Sequence, residues 1–150
     1  MRVMDDDPYE RGRGLILEYG HTVGHAIEYA SIASETAVPH GDAIALGMIA
    51  AARIAESMGY LDADVALLHE KLAADVGAPT RLPVDLDVRR VVSLVQSDNK
   101  RGLLPCREDE VAMVLLAGLG EAVVARPDGL PLTAVPRDLM SSIVENLVAR

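Results

Sequence analysis

Three of the four histidines in this 150-residue chain, His21, His25 and His40, fall within twenty residues. His21 and His25 are four residues apart, so on a helix their side chains project from one face. His40 can return to that face if the two segments form antiparallel helices. Neutral imidazoles that converge on one point are good ligands for zinc or a similar divalent cation. The spacing therefore indicates a metal site. The alternative is that two of the three are hydrogen-bonded core or capping residues.

The remaining reactive side chains give weaker signals. Position 22 is Thr, so the histidine pair lacks the Glu of the His-Glu-x-x-His motif that is typical of zinc peptidases. The fourth histidine, His69, lies off the apolar stripe of its segment and is predicted to be solvated surface. Cys106 has no base nearby in the sequence, which indicates an unreactive thiol.

The composition argues against several classes of protein. The chain has 14 Lys and Arg against 23 Asp and Glu, a net charge of −9, and such a surplus of carboxylates repels the phosphates of nucleic acid. The longest uncharged apolar run, residues 43–52, is about half as long as a membrane span needs. We expect a cytoplasmic protein, because no secretion signal is present and a single cysteine cannot form an internal disulfide.

The histidines are predicted to lie on closely packed helices. The chain has no Phe or Trp, so the core must consist of small and branched aliphatic side chains. Periodicity predicts a helix over about residues 14–32, in which Gly20 and Gly24 are tolerated because another backbone approaches them closely. A second, almost wholly apolar helix is predicted to begin with Asp42 as its cap and to end at Gly59.

The rest of the chain is predicted to add shorter elements. Three further helices are expected, over about residues 62–76, 87–96 and 136–148. The first of these carries an apolar stripe of Leu61, Val65, Leu68, Leu72 and Val76. Strands are expected over about residues 111–116 and 121–125, joined through a hairpin turn at 118–120. The predicted fold class is therefore mainly α, a helical bundle with a small β-hairpin near the C-terminal end.

Two segments of the sequence resemble a known enzyme family. Residues 17–28 read Leu-Glu-Tyr-Gly-His-Thr-Val-Gly-His-Ala-Ile-Glu, and His40 begins a following His-Gly-Asp. A Gly-His-Thr-x-Gly-His-Ala-x-Glu motif with a second His-Gly-acid about twenty residues on resembles the C-terminal domain of the sugar phosphate cyclases, the 3-dehydroquinate synthase superfamily. The resemblance covers most of the chain and fades toward its C-terminus.

The resemblance implies a two-domain enzyme whose N-terminal Rossmann-like domain binds NAD and whose helical C-terminal domain carries most of the metal site. It implies that His21 and His40 are metal ligands and that His25 is a hydrogen-bonding or proton-relay residue near the substrate phosphate. Lys100 matches a lysine that anchors this phosphate, and Glu10 matches an acidic residue of the same pocket. The third metal ligand of the family, a glutamate, and its NAD-binding glycines have no counterpart here. We therefore expect residues 1–150 to be the metal-binding domain alone.

Two positions favour one branch of the family. Dehydroquinate synthases usually have an Asn three residues before the first metal histidine and an Arg four residues before that Asn. The Arg binds the substrate carboxylate. The chain has Glu18 and Gly14 instead, and a Glu would repel a carboxylate. The sequence is more similar to the 2-deoxy-scyllo-inosose synthases, which cyclise glucose 6-phosphate with loss of phosphate for aminoglycoside biosynthesis, using NAD and zinc or cobalt. In that branch Glu18 is a candidate general base, because apolar neighbours raise a carboxyl pKa.

Several hypotheses stay open at this point. The chain is a catalytic half that needs a partner chain, a helical binding module that keeps the motif as a relic, or an inactive remnant. Within the enzyme class, a 3-dehydroquinate synthase fragment is the alternative. Alone, the chain is expected not to turn over a sugar phosphate. Apolar surface left by a missing domain would favour a homo-oligomer.

Overall fold

The computed structural model describes residues 12–32, 34, 37–95, 103–125 and 128–148. A 3-10 helix (Arg13–Glu18) is followed by the helices α1 (His21–Ser31), α2 (His40–Ser57), α3 (Ala63–Asp75), α4 (Val88–Val95) and α5 (Arg137–Asn146). The strands are β1 (Glu110–Met113), β2 (Leu116–Gly118), β3 (Glu121–Ala122) and β4 (Thr133–Pro136). The prediction of a mainly α fold with a small hairpin near the C-terminal end is confirmed. None of the helices in these ranges is both long enough and apolar enough to span a bilayer.

Helix α2 is the centre of the core. The consecutive residues Ala50, Ala51 and Ala52 are all fully buried, so other elements enclose the helix on every side. It contacts α1, α3, α5 and β2. The predicted central helix is confirmed, but its predicted cap is wrong. Asp42 lies within the first turn, and the N-cap is Pro39, whose carbonyl oxygen accepts the amide hydrogen of Ala43.

The first predicted helix is two elements rather than one. The 3-10 helix ends at Glu18, Tyr19 and Gly20 form a turn, and α1 begins at His21. Gly20 has φ +82°, in the left-handed region that glycine occupies without a steric penalty. The continuous helix predicted over residues 14–32 is therefore wrong. The break was missed because Leu15 and Tyr19 are buried, as are the apolar residues of α1. The apolar pattern therefore continues across the break and hides it.

Helices α1 and α2 meet backbone to backbone at three glycines. A Cβ at Gly47 would overlap the carbonyl oxygen of Gly20 and lie 2.7 Å from the amide nitrogen of Gly24. A Cβ at Gly24 would lie 3.0 Å from the carbonyl oxygen of Ala43. Gly20 thus lies against Gly47, and Gly24 lies against Ala43, which precedes Gly47 in α2. Because the order of contacts is reversed, the two helices are antiparallel. The predicted close approach at Gly20 and Gly24 is confirmed, and Gly47 is its partner.

The β region is more divided than predicted. Strand β1 pairs antiparallel with β4, with Val111 opposite Val135, whereas β2 pairs with β3. The predicted turn at 118–120 is confirmed, but the single strand predicted over 111–116 is wrong. Strand β4 was not predicted, because a four-residue strand has little periodicity of its own and depends on β1 for its hydrogen bonds.

Helix α3 does not bury the stripe predicted for it. Leu72 is 52% exposed and Val76 is 81% exposed. The buried residues of this helix are instead Ala66 and Ala73. Small side chains let α3 lie close to α2, so the large aliphatic residues are displaced from the contact. The predicted stripe is therefore wrong at its C-terminal end.

The substitution Gly47→Ala should destabilise the chain, because the new methyl group would overlap a backbone carbonyl that cannot move unless α1 and α2 separate. We expect the free energy of unfolding to fall by about 1–3 kcal/mol, the usual cost of overpacking. Urea denaturation followed by circular dichroism measures this change. Gly41→Ala on the same helix is the matched control, since a Cβ there meets nothing within 4 Å. Equal unfolding midpoints for Gly47→Ala and the unaltered chain would contradict the close approach.

Candidate metal centre

His21, His25 and His40 converge in the structure. One ligand nitrogen from each lies within 4.8 Å of those of the other two. The ring centroids are 5.1 Å apart for His21 and His25, 6.0 Å for His21 and His40, and 5.7 Å for His25 and His40. The structure therefore brings together the three histidines that the sequence singled out, on antiparallel helices as expected.

The local backbone explains this convergence. The turn at Gly20 makes His21 the first residue of α1, and His25 follows one helical turn later on the same face. Pro39 precedes α2, so His40 is the first residue of that helix. Because the glycine contacts hold the two helices close together, the beginning of α2 lies beside the histidine face of α1.

The rings of His21 and His40 each have an oxygen acceptor at Nδ1. His21 Nδ1 lies 3.3 Å from the carbonyl oxygen of Tyr19, and His40 Nδ1 lies 2.9 Å from Oε2 of Glu28. Carbonyl and carboxylate oxygens only accept hydrogen bonds, so in a neutral ring each Nδ1 carries the hydrogen. The Nε2 atoms of His21 and His40 then present lone pairs, as binding of a metal through Nε2 requires.

The donor set fits a borderline divalent cation such as zinc or cobalt. At Zn–N distances of about 2.0–2.1 Å, tetrahedral nitrogen ligands lie about 3.4 Å apart. The nitrogens lie within 4.8 Å of one another, so small side-chain rotations bring them to this distance. His21 and His25 are half-buried and His40 is exposed, so the group is open to solvent on one side. An open position is typical of catalytic rather than structural metal sites.

A further hydrogen-bond chain holds the turn that precedes His21. The Tyr19 hydroxyl lies 3.0 Å from His69 Nε2 and 3.3 Å from the carbonyl oxygen of Met48. His69 Nδ1 lies 2.8 Å from the carbonyl oxygen of Val65, so in a neutral ring Nδ1 donates there and Nε2 is an acceptor. The single hydroxyl hydrogen of Tyr19 is then shared between Nε2 of His69 and the carbonyl oxygen of Met48. Burial raises the pKa of the Tyr19 phenol well above its ordinary value, which keeps this group a hydrogen-bond donor.

The prediction that His69 is solvated surface is therefore wrong. Its ring is half-buried and links α3 to the turn between the 3-10 helix and α1. The reason for the error is the misplaced stripe of α3. Once small residues rather than Leu72 and Val76 face the core, the position of His69 comes to lie beside the neighbouring elements.

The other predicted site residues are not tested by the structure. Glu18 is the last residue of the 3-10 helix and is half-buried, three residues before His21. Its assignment as a general base stays a prediction. Glu10 and Lys100, predicted to line the substrate phosphate pocket, lie outside the described residues.

Glu28 lies against His40 in the structure, and no role was predicted for it from the sequence. A signal for it was present in the spacing. Residues 21, 25 and 28 follow the i, i+4, i+7 pattern that places side chains along one face of a helix. Glu28 therefore extends the line formed by His21 and His25.

Comparisons with known proteins identify relatives of the chain. The family model described as 3-dehydroquinate synthase C-terminal matches residues 1–101. A 2-deoxy-scyllo-inosose synthase of Streptomyces kanamyceticus is 50% identical over 141 residues, which are 94% of this chain and 35% of that protein. A 2-deoxy-scyllo-inosose synthase of Streptoalloteichus tenebrarius is 47% identical over 146 residues, 97% of this chain and 36% of that protein.

A solved structure gives the same result. The crystal structure of 2-deoxy-scyllo-inosose synthase complexed with carbaglucose-6-phosphate, NAD+ and Co2+ matches with a TM-score of 0.79 and 35% sequence identity, over 95% of this chain and 36% of that chain. The chain thus spans about a third of the length of the relatives it matches. The family model covers well over half of the chain, and the resemblance found in the sequence is confirmed: the chain belongs to the 3-dehydroquinate synthase C-terminal family.

Proposed function

We propose that the chain is the metal-binding part of a sugar phosphate cyclase of the 2-deoxy-scyllo-inosose synthase type. The observation that carries this proposal is the convergence of three histidine nitrogens within 4.8 Å. The substrate class is a sugar phosphate, glucose 6-phosphate in the first place, which would lose its phosphate and close to a carbocycle. The presence of Glu18, where a carboxylate-binding branch usually has Asn, supports a substrate without a carboxylate.

The NAD-binding part of the reaction is assigned to a Rossmann-like domain that lies outside residues 1–150. The length of the relatives supports this assignment, since the chain spans 35% of one and 36% of another. The solved relative was crystallised with NAD+, and bound NAD supplies hydride transfer to and from a ring carbon. The present chain would act together with that domain, and by itself it would not convert substrate.

In this proposal His21 and His40 bind a divalent cation, cobalt or zinc, which when bound supplies Lewis acidity toward substrate oxygens. Imidazole ligands are neutral, so they leave the positive charge of the site available to the substrate. His25 would donate a hydrogen bond or relay a proton near the phosphate. Glu18 would remove a proton from the substrate in a later step, and Lys100 and Glu10 would line the phosphate pocket.

Removal of either proposed ligand should weaken cation binding by the chain. We expect a Co2+ titration followed by visible absorption to show weak binding of about one ion per unaltered chain, because the glutamate ligand of the family has no counterpart here. Loss of a residue that only orients a ligand lowers metal affinity by about 10–100-fold. His21→Ala and His40→Ala should each lower the affinity for Co2+ by more than this. His25→Ala should retain most of the affinity, because this ring is proposed to act on the substrate. Tyr29→Ala, at an exposed position of α1, is the control. Equal affinities for all four variants would refute the assignment.

Activity is expected only after the chain is combined with the N-terminal domain of a 2-deoxy-scyllo-inosose synthase. The assembled enzyme should release phosphate from glucose 6-phosphate and should not accept the phosphorylated keto acid used by dehydroquinate synthases. Each component alone should be inactive. Association without any turnover of glucose 6-phosphate would count against the proposed substrate.

In the same assembled enzyme, Glu18→Gln should lower kcat by about 10²–10⁴-fold, the range that a general base contributes. Binding of Co2+ should stay unchanged, because Glu18 is not a proposed ligand. Glu56→Gln removes a carboxylate from an exposed position of α2 and serves as the charge-matched control. Full activity of Glu18→Gln would remove this residue from the mechanism.

A further inference from the structure

We infer that Glu28 is the positioning residue of His40: it accepts the hydrogen of Nδ1 and thereby keeps Nε2 available to the cation. The inference rests on the metal site proposed above and adds a residue to which no role had been assigned. It concerns the orientation and tautomer of one ring, rather than direct contact with a metal or a substrate.

The geometry supports this role directly. Oε2 of Glu28 lies 2.9 Å from Nδ1 of His40, and the two residues belong to different helices. Glu28 lies three residues after His25 on α1, so its side chain shares the helix face that carries His21 and His25. A carboxylate in this position reaches the outer nitrogen of the third histidine from the same face that carries the other two.

The exposure of the pair argues against a mainly structural role. The side chain of His40 is 55% exposed and that of Glu28 is 32% exposed. Ion pairs in such surroundings contribute little to folding stability, because solvent screens them. The glycine contact already fixes the distance between α1 and α2, so this pair is not needed to hold the helices together.

The orientation of His40 has a direct consequence for metal affinity. An exposed imidazole at the start of a helix can rotate and exchange tautomers, and each freedom must be lost when a cation binds. A carboxylate on the opposite nitrogen removes both freedoms in advance. His21 obtains the same result from the carbonyl oxygen of Tyr19, which no side-chain substitution removes. Glu28 is thus the partner that can be tested by substitution.

The first test uses the metal-free chain. Long-range ¹H–¹⁵N correlation spectra of the imidazole rings distinguish the two neutral tautomers. We expect His40 to carry its hydrogen on Nδ1 in the unaltered chain and to lose this preference in Glu28→Ala. Glu28→Gln should keep more of the preference than Glu28→Ala, because its amide oxygen can still accept, and less than Glu28 itself, because its amide nitrogen can donate instead. His21 should not change in either variant, and it serves as the internal control.

The second test is a Co2+ titration of the full chain. Glu28→Ala should lower the affinity by about 10–100-fold and change the visible spectrum of the bound ion, whereas Glu28→Gln should restore most of both. Glu56→Ala is the control, because Glu56 lies 16 residues further along α2, about 24 Å from His40 at the rise of an α-helix. In a His40→Ala background, Glu28→Ala should have no further effect on affinity, since its action requires the ring.

The outcomes separate this inference from the proposed metal site. An unaltered chain that binds no Co2+ would overturn the metal site and this inference with it. Co2+ binding that Glu28→Ala leaves unchanged, with the tautomer of His40 also unchanged, would overturn this inference alone. If Glu28→Ala fails to fold, Glu28→Met keeps the side-chain volume without an acceptor. If Glu28→Met and Glu28→Gln bind Co2+ with the same affinity, the inference is also overturned.

Discussion

The backbone contact between α1 and α2 is the constraint on which the candidate site depends. Gly47 lies against Gly20 and Gly24 at a distance that leaves no room for a Cβ. A glycine inside a helix lowers the stability of the helix by about 1 kcal/mol relative to alanine. The presence of Gly47 inside α2 therefore reflects close packing rather than helix propensity. A larger residue at any of these positions would separate the helices. The nitrogens of His40 and His21 would then move apart.

Gly20 also sets the beginning of α1. Its left-handed conformation ends the preceding turn and makes His21 the first helical residue. The carbonyl oxygen of Tyr19, just before it, then lies beside the ring of His21. The side chain of Tyr19 is in turn hydrogen-bonded to His69 on α3. One turn therefore fixes both the position and the tautomer of His21, and a third helix restrains that turn.

The sequence predicted those parts of the site that depend on local spacing. The helix face shared by His21 and His25, the buried α2 and the close approach at Gly24 follow from patterns within a few turns of chain. The hydrogen bond of Tyr19 to His69 joins residues fifty positions apart, and local periodicity contains no information about such a pair. The break at Gly20 was hidden for a different reason, since both sides of it bury the same apolar face.

The Nδ1 acceptors of His21 and His40 lie in the same segment as the glycine contact. A metal ligand must have the right position and the right tautomer, and the glycine contact supplies only the position. The tautomer depends on Tyr19 and Glu28, which lie just before α1 and on α1. All of these determinants fall between residues 19 and 47. A ligand that approaches the histidine group from its solvent-exposed side would therefore not need to orient His21 or His40.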